Sequence, residues 1–219
     1  MQAAYLFAVG PLAWAAFIIF FLGVAAQLVR TFIFATAKDP EVVRYLDLRY
    51  GLRSILAWIV PFKARSWKIH PLLTVVTFTF HICLILVPVF LSAHVILLDQ
   101  IWGLDYWRLP NAASDWMTVF VLLCCLFFMG RRLLLQEVRF VTTFQDWMIL
   151  VLIFLPFLTG FLAYHQWFDY QLMLVVHIMS GEILLASIPF TRLSHIFYGP
   201  LMRAYIGSEF GKIRKARDW

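Results

Sequence analysis

Six histidines stand in this chain: His70, His81, His94, His165, His177 and His195. Most fall in or beside long apolar runs. Ionisable side chains inside a membrane are costly and rare, so each is read first as functional. A single histidine also serves as hydrogen-bonding glue between helices. Four of them on two segments, matched in depth, fit that role poorly. Neutral imidazole nitrogen is a ligand for haem iron that carries no charge into lipid. His177 and His195 are 18 residues apart. On one continuous helix that is five turns, so both rings share a face, about 27 Å apart. One ring then lies near each side of a hydrocarbon core about 30 Å thick, the spacing that two haems at the two faces need.

The partners come from the preceding apolar segment that holds His81 and His94. His94 sits near the outer end of its segment, as His177 does, and the two are expected to face each other. His81 is expected to pair with His195. His81 and His94 are 13 residues apart, about 3.6 turns, which leaves the rings on different sides of an ideal helix. Pro88 lies between them and is expected to kink the segment. His70 competes, because it lies three turns before His81 on the same face. It also follows Lys63, Arg65, Trp67 and Lys68 and precedes Pro71, the composition of an interfacial helix start. His165 reads as an interfacial residue beside Gln166 and Trp167. The chain has no CxxCH, which excludes covalent c-type haem, and no iron–sulfur cysteine motif. Cys83, Cys124 and Cys125 lie in apolar runs and offer neither a disulfide framework nor a CxxC metal site.

The elements that must position these residues are membrane spans. Of 219 residues, 63% are hydrophobic and 14% charged, far from the balance of a soluble domain. Five segments reach the roughly 20 apolar residues of a span: about 5–29, 71–98, 116–135, 147–167 and 172–198. The fold class is therefore an all-α membrane protein, a five-helix transmembrane bundle forming one membrane domain over 1–219. The first apolar run lacks a basic flank and is too long for a signal peptide, so it reads as a retained helix. Seventeen of the 18 Lys and Arg fall in the 30–70 loop, the third connection and the C-terminal end, leaving Arg108 on the other side. This places the N-terminus outside and the C-terminus in the cytoplasm. Within the long loop, 52–62 is apolar with basic flanks and reads as a helix on the membrane surface, either a dock for a cytoplasmic partner or a simple anchor. The net charge of +6 follows from topology and gives no reason to invoke nucleic acid.

Glu182 lies midway along the fifth span and has two readings. One is a proton-linked or quinone-linked group, or an arginine partner; the other is a neutral, hydrogen-bonded buried acid. Gly181, one turn after His177, either admits a flat macrocycle or serves ordinary helix packing. Arg192 and Arg132 at the cytoplasmic side, and Arg108 outside, are candidates for pairing with haem propionates.

The run His177, Gly181, then Pro189-Phe190-Thr191-Arg192-Leu193-Ser194-His195-Ile196 resembles the fifth helix of the membrane cytochrome b (gamma) subunits of respiratory nitrate reductases. Arg131-Arg132-Leu133, Val138-Arg139 and Thr142-Thr143 with Asp146 resemble that family's connection between the third and fourth helices, and Phe80-His81-Ile82 resembles the motif around its cytoplasm-facing second-helix ligand. The likeness covers about 5–205. The family spaces its second-helix ligands by ten residues; here that position is Leu91, and His94 lies three further on.

The resemblance implies two non-covalent haems b, held by His81, His94, His177 and His195, and a quinone (menaquinone-type) near the outer haem. The stretch Val87 to His94 is similar to relatives in the Hmc, Tmc and Dsr complexes of sulfate reducers. That implies an iron–sulfur or heterodisulfide-reductase-like subunit on the cytoplasmic side, a multihaem cytochrome c outside, and other membrane subunits. The expected function is quinone-linked electron transfer in the bacterial inner membrane, with no terminal catalytic site on this chain. The alternatives are a haem-free anchor and a proton-conducting transporter built on His and Glu182. The topology predicts that a reporter active only outside the cytoplasm is active when fused in the 99–115 or 165–171 connections, and inactive when fused after Trp219.

Overall fold

The computed structural model describes residues 2–219. Five helices among them are long and apolar enough to cross a membrane: Gln2–Lys38 (α1), Pro71–Phe90, Asn111–Leu134, Phe144–Tyr164 and the run Tyr170–Phe190. No strand occurs among the described residues. The chain divides into two compact units: one comprising the chain up to Ala13 with Val75–Leu184, the other Trp14–Thr74 with Leu185–Trp219.

Several expected segments are bounded differently. The first helix runs on to Lys38 rather than stopping near Val29, because nothing in Arg30–Lys38 breaks it before Asp39-Pro40. Pro11 brings no amide hydrogen, and a π-helical turn over Ala8–Leu12 accommodates it. The surface helix, expected over 52–62, spans Leu48–Ile59 (α2). It starts earlier because the Asp47 carboxylate accepts from the amides of Arg49 and Tyr50 at 3.0 and 3.2 Å. A short helix Arg65–Ile69 (α3) follows, with His70 exposed at its end.

The second expected span, 71–98, is two helices: Pro71–Phe90 (α4) and Ser92–Trp102 (α5), divided at Leu91, which is extended (φ −61°, ψ 131°). The break leaves carbonyls at the end of α4 without helical donors, and each is met from elsewhere. The Tyr106 hydroxyl donates to Val89 O at 2.7 Å, and the Leu109 amide to Phe90 O at 2.8 Å. Pro88 O is met by His94. Buried carbonyls in an apolar segment demand such partners.

In the same unit, Asn111–Leu134 (α6) lies against Phe144–Tyr164 (α8), with the short helix Gln136–Val141 (α7) between them in sequence. Thr143 and Asp146, part of the family-like run, form a capping box that starts α8, with the Thr143 amide and hydroxyl donating to Asp146 at 2.8 and 2.7 Å. Val95, Val121 and Cys125 are fully buried. Cys83, Cys124 and Cys125 are free thiols, and Cys124 donates weakly to Val76 O at 3.8 Å.

The fifth span is also interrupted. Tyr170–Ser187 (α9) gives way to a 3-10 turn over Ile188–Phe190; Thr191 is extended, and its hydroxyl accepts from the Leu193 amide. His195–Ser208 (α10) then begins. The expectation that His177 and His195 share one face of a continuous helix is therefore corrected. Pro189 removes a donor and Thr191 restarts the backbone, so five uninterrupted turns do not exist.

In the second unit α2 packs on α10 through small residues. Gly51 meets Ala204, Gly207 meets Ser54 and Tyr50, and Gly211 meets the Tyr50 ring. The Ser208 hydroxyl accepts from the Asp47 amide at 3.0 Å. The C-terminus folds back: Asp218 binds Arg203 and Ser54, and Arg53 stacks on both the Tyr50 and Trp219 rings. Burial lowers the Arg203 guanidinium from its ordinary range, while Asp218 opposes that shift. Packed this way, α2 leaves Leu48, Leu52, Leu56 and Ile59 exposed as an apolar stripe, as an interfacial helix requires.

A Cβ at Gly207 would stand 2.4 Å from Ser54 Cβ and 2.7 Å from Tyr50 O, whereas at Gly199 on the same helix it meets nothing within 4 Å. Gly207→Ala is expected to cost about 1–3 kcal/mol and to lower the thermal midpoint in detergent. Gly199→Ala is expected to leave the midpoint unchanged or to raise it slightly.

Candidate functional site

His94 and His177 meet within the first unit. Their ring centroids are 5.9 Å apart and the rings lie within 13° of parallel. His94 is in the first turn of α5, just past the break at Leu91, and His177 is two turns into α9. Each ring is held by one nitrogen. His94 Nδ1 donates to Pro88 O at 2.9 Å, and His177 Nδ1 donates to Pro156 O at 2.8 Å. A carbonyl only accepts, so both Nδ1 atoms carry the proton, and in the neutral rings Nε2 keeps its lone pair.

The break at Leu91 answers the difficulty of the 13-residue spacing. The chain turns after α4, and α5 brings His94 back over the end of the helix it left. Gly160 on α8 was not anticipated from sequence. A Cβ there would lie 2.9 Å from both Cε1 and Nδ1 of His177, so only glycine leaves room for the ring beside the Pro156 carbonyl. A signal existed in Pro156 and Gly160, four residues apart in one apolar span, but such spacing is common in membrane helices.

The other two expected ligands repeat the pattern. His81 Nδ1 donates to Thr77 O at 2.7 Å, in the first unit, and His195 Nδ1 donates to Arg192 O at 2.8 Å, in the second. All four thus present the same tautomer. Metal-ligating histidines commonly donate their other N–H to a carbonyl, which fixes both tautomer and ring orientation. No group of three or more His, Cys, Asp or Glu side chains clusters among the described residues, so what comes together here is a two-histidine pair.

The remaining candidates are placed as follows. A Cβ at Gly181 would meet nothing within 4 Å, so close helix packing does not explain that glycine. Arg108 is half-buried and paired with Asp105 at 2.6 Å. Arg132 donates to Phe128 O at 3.1 Å, while its buried Nε has no hydrogen-bond partner among the described residues. Arg192 lies on the 3-10 turn before His195. Both carboxylate oxygens of Glu182 are buried without a hydrogen-bond partner among the described residues, so the hydrogen-bonded reading of that acid is not met. His165 is not a bare interfacial residue. Its Nε2 lies 2.9 Å from Asp115 Oδ1, and Asp115 falls just before the third span as read from sequence.

A protein of Nitratidesulfovibrio vulgaris (strain Hildenborough), described simply as "Protein", is 36% identical over 212 residues, covering 94% of this chain and 93% of the relative. The chain belongs to the family of that protein. No family model matches the chain, and no solved structure is significantly similar to it.

Gly160→Ala is expected to push the His177 ring off Pro156 O and to cost about 1–3 kcal/mol. A fall in the thermal midpoint of the purified protein, absent in Gly130→Ala, checks this; Gly130 meets nothing within 4 Å.

Proposed function

We propose that the chain is a dihaem cytochrome b subunit of the bacterial inner membrane, carrying electrons between a quinone and partner redox subunits. One haem b is held by His94 and His177; for the second, the family resemblance implies His81 and His195. The observation that carries the reading is the nearly parallel His94–His177 pair, each ring with Nδ1 donating to a backbone carbonyl and Nε2 as the remaining ligand atom, with His81 and His195 tied through Nδ1 in the same way.

The donor set fits the group. His94 and His177, whose rings are nearly parallel with centroids 5.9 Å apart, would hold the iron through Nε2. The space beside Gly181, one turn from His177, suits a flat macrocycle. Bound haem supplies a one-electron iron couple whose potential follows axial ligation and burial. The chain's residues orient the rings, keep Nε2 unprotonated and surround the pair with apolar side chains. Arg132, with its unpartnered Nε, and Arg192 are proposed to meet propionates. Arg108 is less suited, since Asp105 already engages it.

The nitrate-reductase-like motifs support a menaquinone-type substrate. The likeness of Val87 to His94 to subunits of the sulfate-reducer complexes supports an iron–sulfur or heterodisulfide-reductase-like partner on the cytoplasmic side and a multihaem cytochrome c outside.

A dithionite-reduced minus oxidised spectrum with haem extraction is expected to give about two haems b per chain. His94→Ala and His177→Ala are each expected to leave about one and to abolish reduction by a quinol analogue. Folded, unstripped protein with no haem would end the cytochrome reading.

A further inference from the structure

His165 is arranged in the opposite sense to His81, His94, His177 and His195. Its Nε2 is the nitrogen that is held, by the Asp115 carboxylate at 2.9 Å, and its Nδ1 makes no hydrogen bond among the described residues. The α6–α8 hairpin creates the pair, because Asp115 opens α6 where α8 ends. Three aromatic rings surround the imidazole: Phe161 at 4.3 Å, Tyr164 at 5.1 Å and Trp167 at 5.9 Å between centroids. The two side chains of the pair remain 31% and 30% exposed, so a molecule can reach them. The same helix carries Pro156, the acceptor for His177, nine residues earlier, about 13 Å along the axis.

A carboxylate on one imidazole nitrogen fixes the tautomer and leaves the other nitrogen as a base, ready to be stabilised when it takes a proton. Flat rings beside that base favour a flat aromatic substrate. We propose that His165, positioned by Asp115, is the proton acceptor of a hydroquinone site lined by Phe161, Tyr164 and Trp167. This deepens the quinone-linked reading and rests on it for the oxidant.

The hydroquinone loses two electrons and two protons. One hydroxyl proton passes to His165 Nδ1, while the Nε2 proton stays hydrogen-bonded to Asp115. The second proton leaves to water at the aqueous end of α8. The two electrons would be taken up, one at a time, by the haem iron of the proposed function, and the product is the quinone. Asp115 acts through His165 and is a positioning residue.

The test uses the full-length protein in detergent with two probes. The first is 1-naphthol, which offers a phenolic O–H but no two-electron chemistry; its binding is read by calorimetry. His165→Ala is expected to weaken it about tenfold, the loss of one hydrogen bond, and Trp167→Ala to weaken it by stacking. The second is menadiol, whose rate of haem reduction is expected to fall about a hundredfold in His165→Ala and to recover in part with added imidazole. Asp115→Asn is expected to lower that rate while leaving haem content and 1-naphthol binding near wild type.

Unchanged 1-naphthol binding and unchanged menadiol reduction in His165→Ala would overturn the proposal, as would a loss that merely follows haem content. The two readings also fail separately. Protein that lacks haem b but binds 1-naphthol through His165 ends the cytochrome reading and keeps the site. Haem-replete protein whose binding ignores His165 does the reverse.

Discussion

A backbone carbonyl released inside an apolar helix must find a donor, because no water is at hand to supply one. Much of the first unit answers that demand. The break at Leu91 frees carbonyls at the end of α4, and they are met by His94, by Tyr106 and by the Leu109 amide. His177 meets the Pro156 carbonyl across from α9. His94 is therefore held in place by an obligation of the backbone and His177 by a bond to a helix carbonyl, and the two rings come to lie nearly parallel. The same bonds that settle the main chain decide which nitrogen of each ring keeps its lone pair.

Small residues set how closely these pieces approach. Gly160 admits the His177 ring to the surface of α8, and in the second unit Gly51, Gly207 and Gly211 bring α2 onto α10. Without a hydrophobic drive between helices in lipid, close backbone approach and buried hydrogen bonds carry association. The large apolar side chains are left for the surroundings. Phe21, Leu22 and Leu72 on the spans are more than 60% exposed, as is Ile59 on the surface helix. Such exposure would be a liability in water and is the expected state in a bilayer.

Polar side chains within this frame fall into two kinds. Thr143 with Asp146 and Asp47 are spent on helix starts. The unpartnered Nε of Arg132, the two oxygens of Glu182 and the second nitrogen of His165 are not spent in this way. Residues of the first kind account for part of the family-like signature without any ligand. Those of the second kind mark where the chain keeps chemical capacity in reserve.

The sequence by itself determined the all-helical, five-span character, since hydropathy over about 20 residues depends on composition alone. It also pointed to His94 and His177 as partners, because depth within a span can be counted from its ends. It misled where backbone continuity was assumed. The five-turn face of His177 and His195 dissolved at Pro189 and Thr191, and the single span through His94 broke at Leu91, three residues after the proline that pointed to it. Whether a proline bends a helix or ends it depends on who else can satisfy the freed carbonyls, and that is a property of neighbours far away in sequence. The pairing of His165 with Asp115 and the seat that Gly160 makes for His177 are likewise contacts between helices. No local spacing encodes them, so only the tertiary structure decided them.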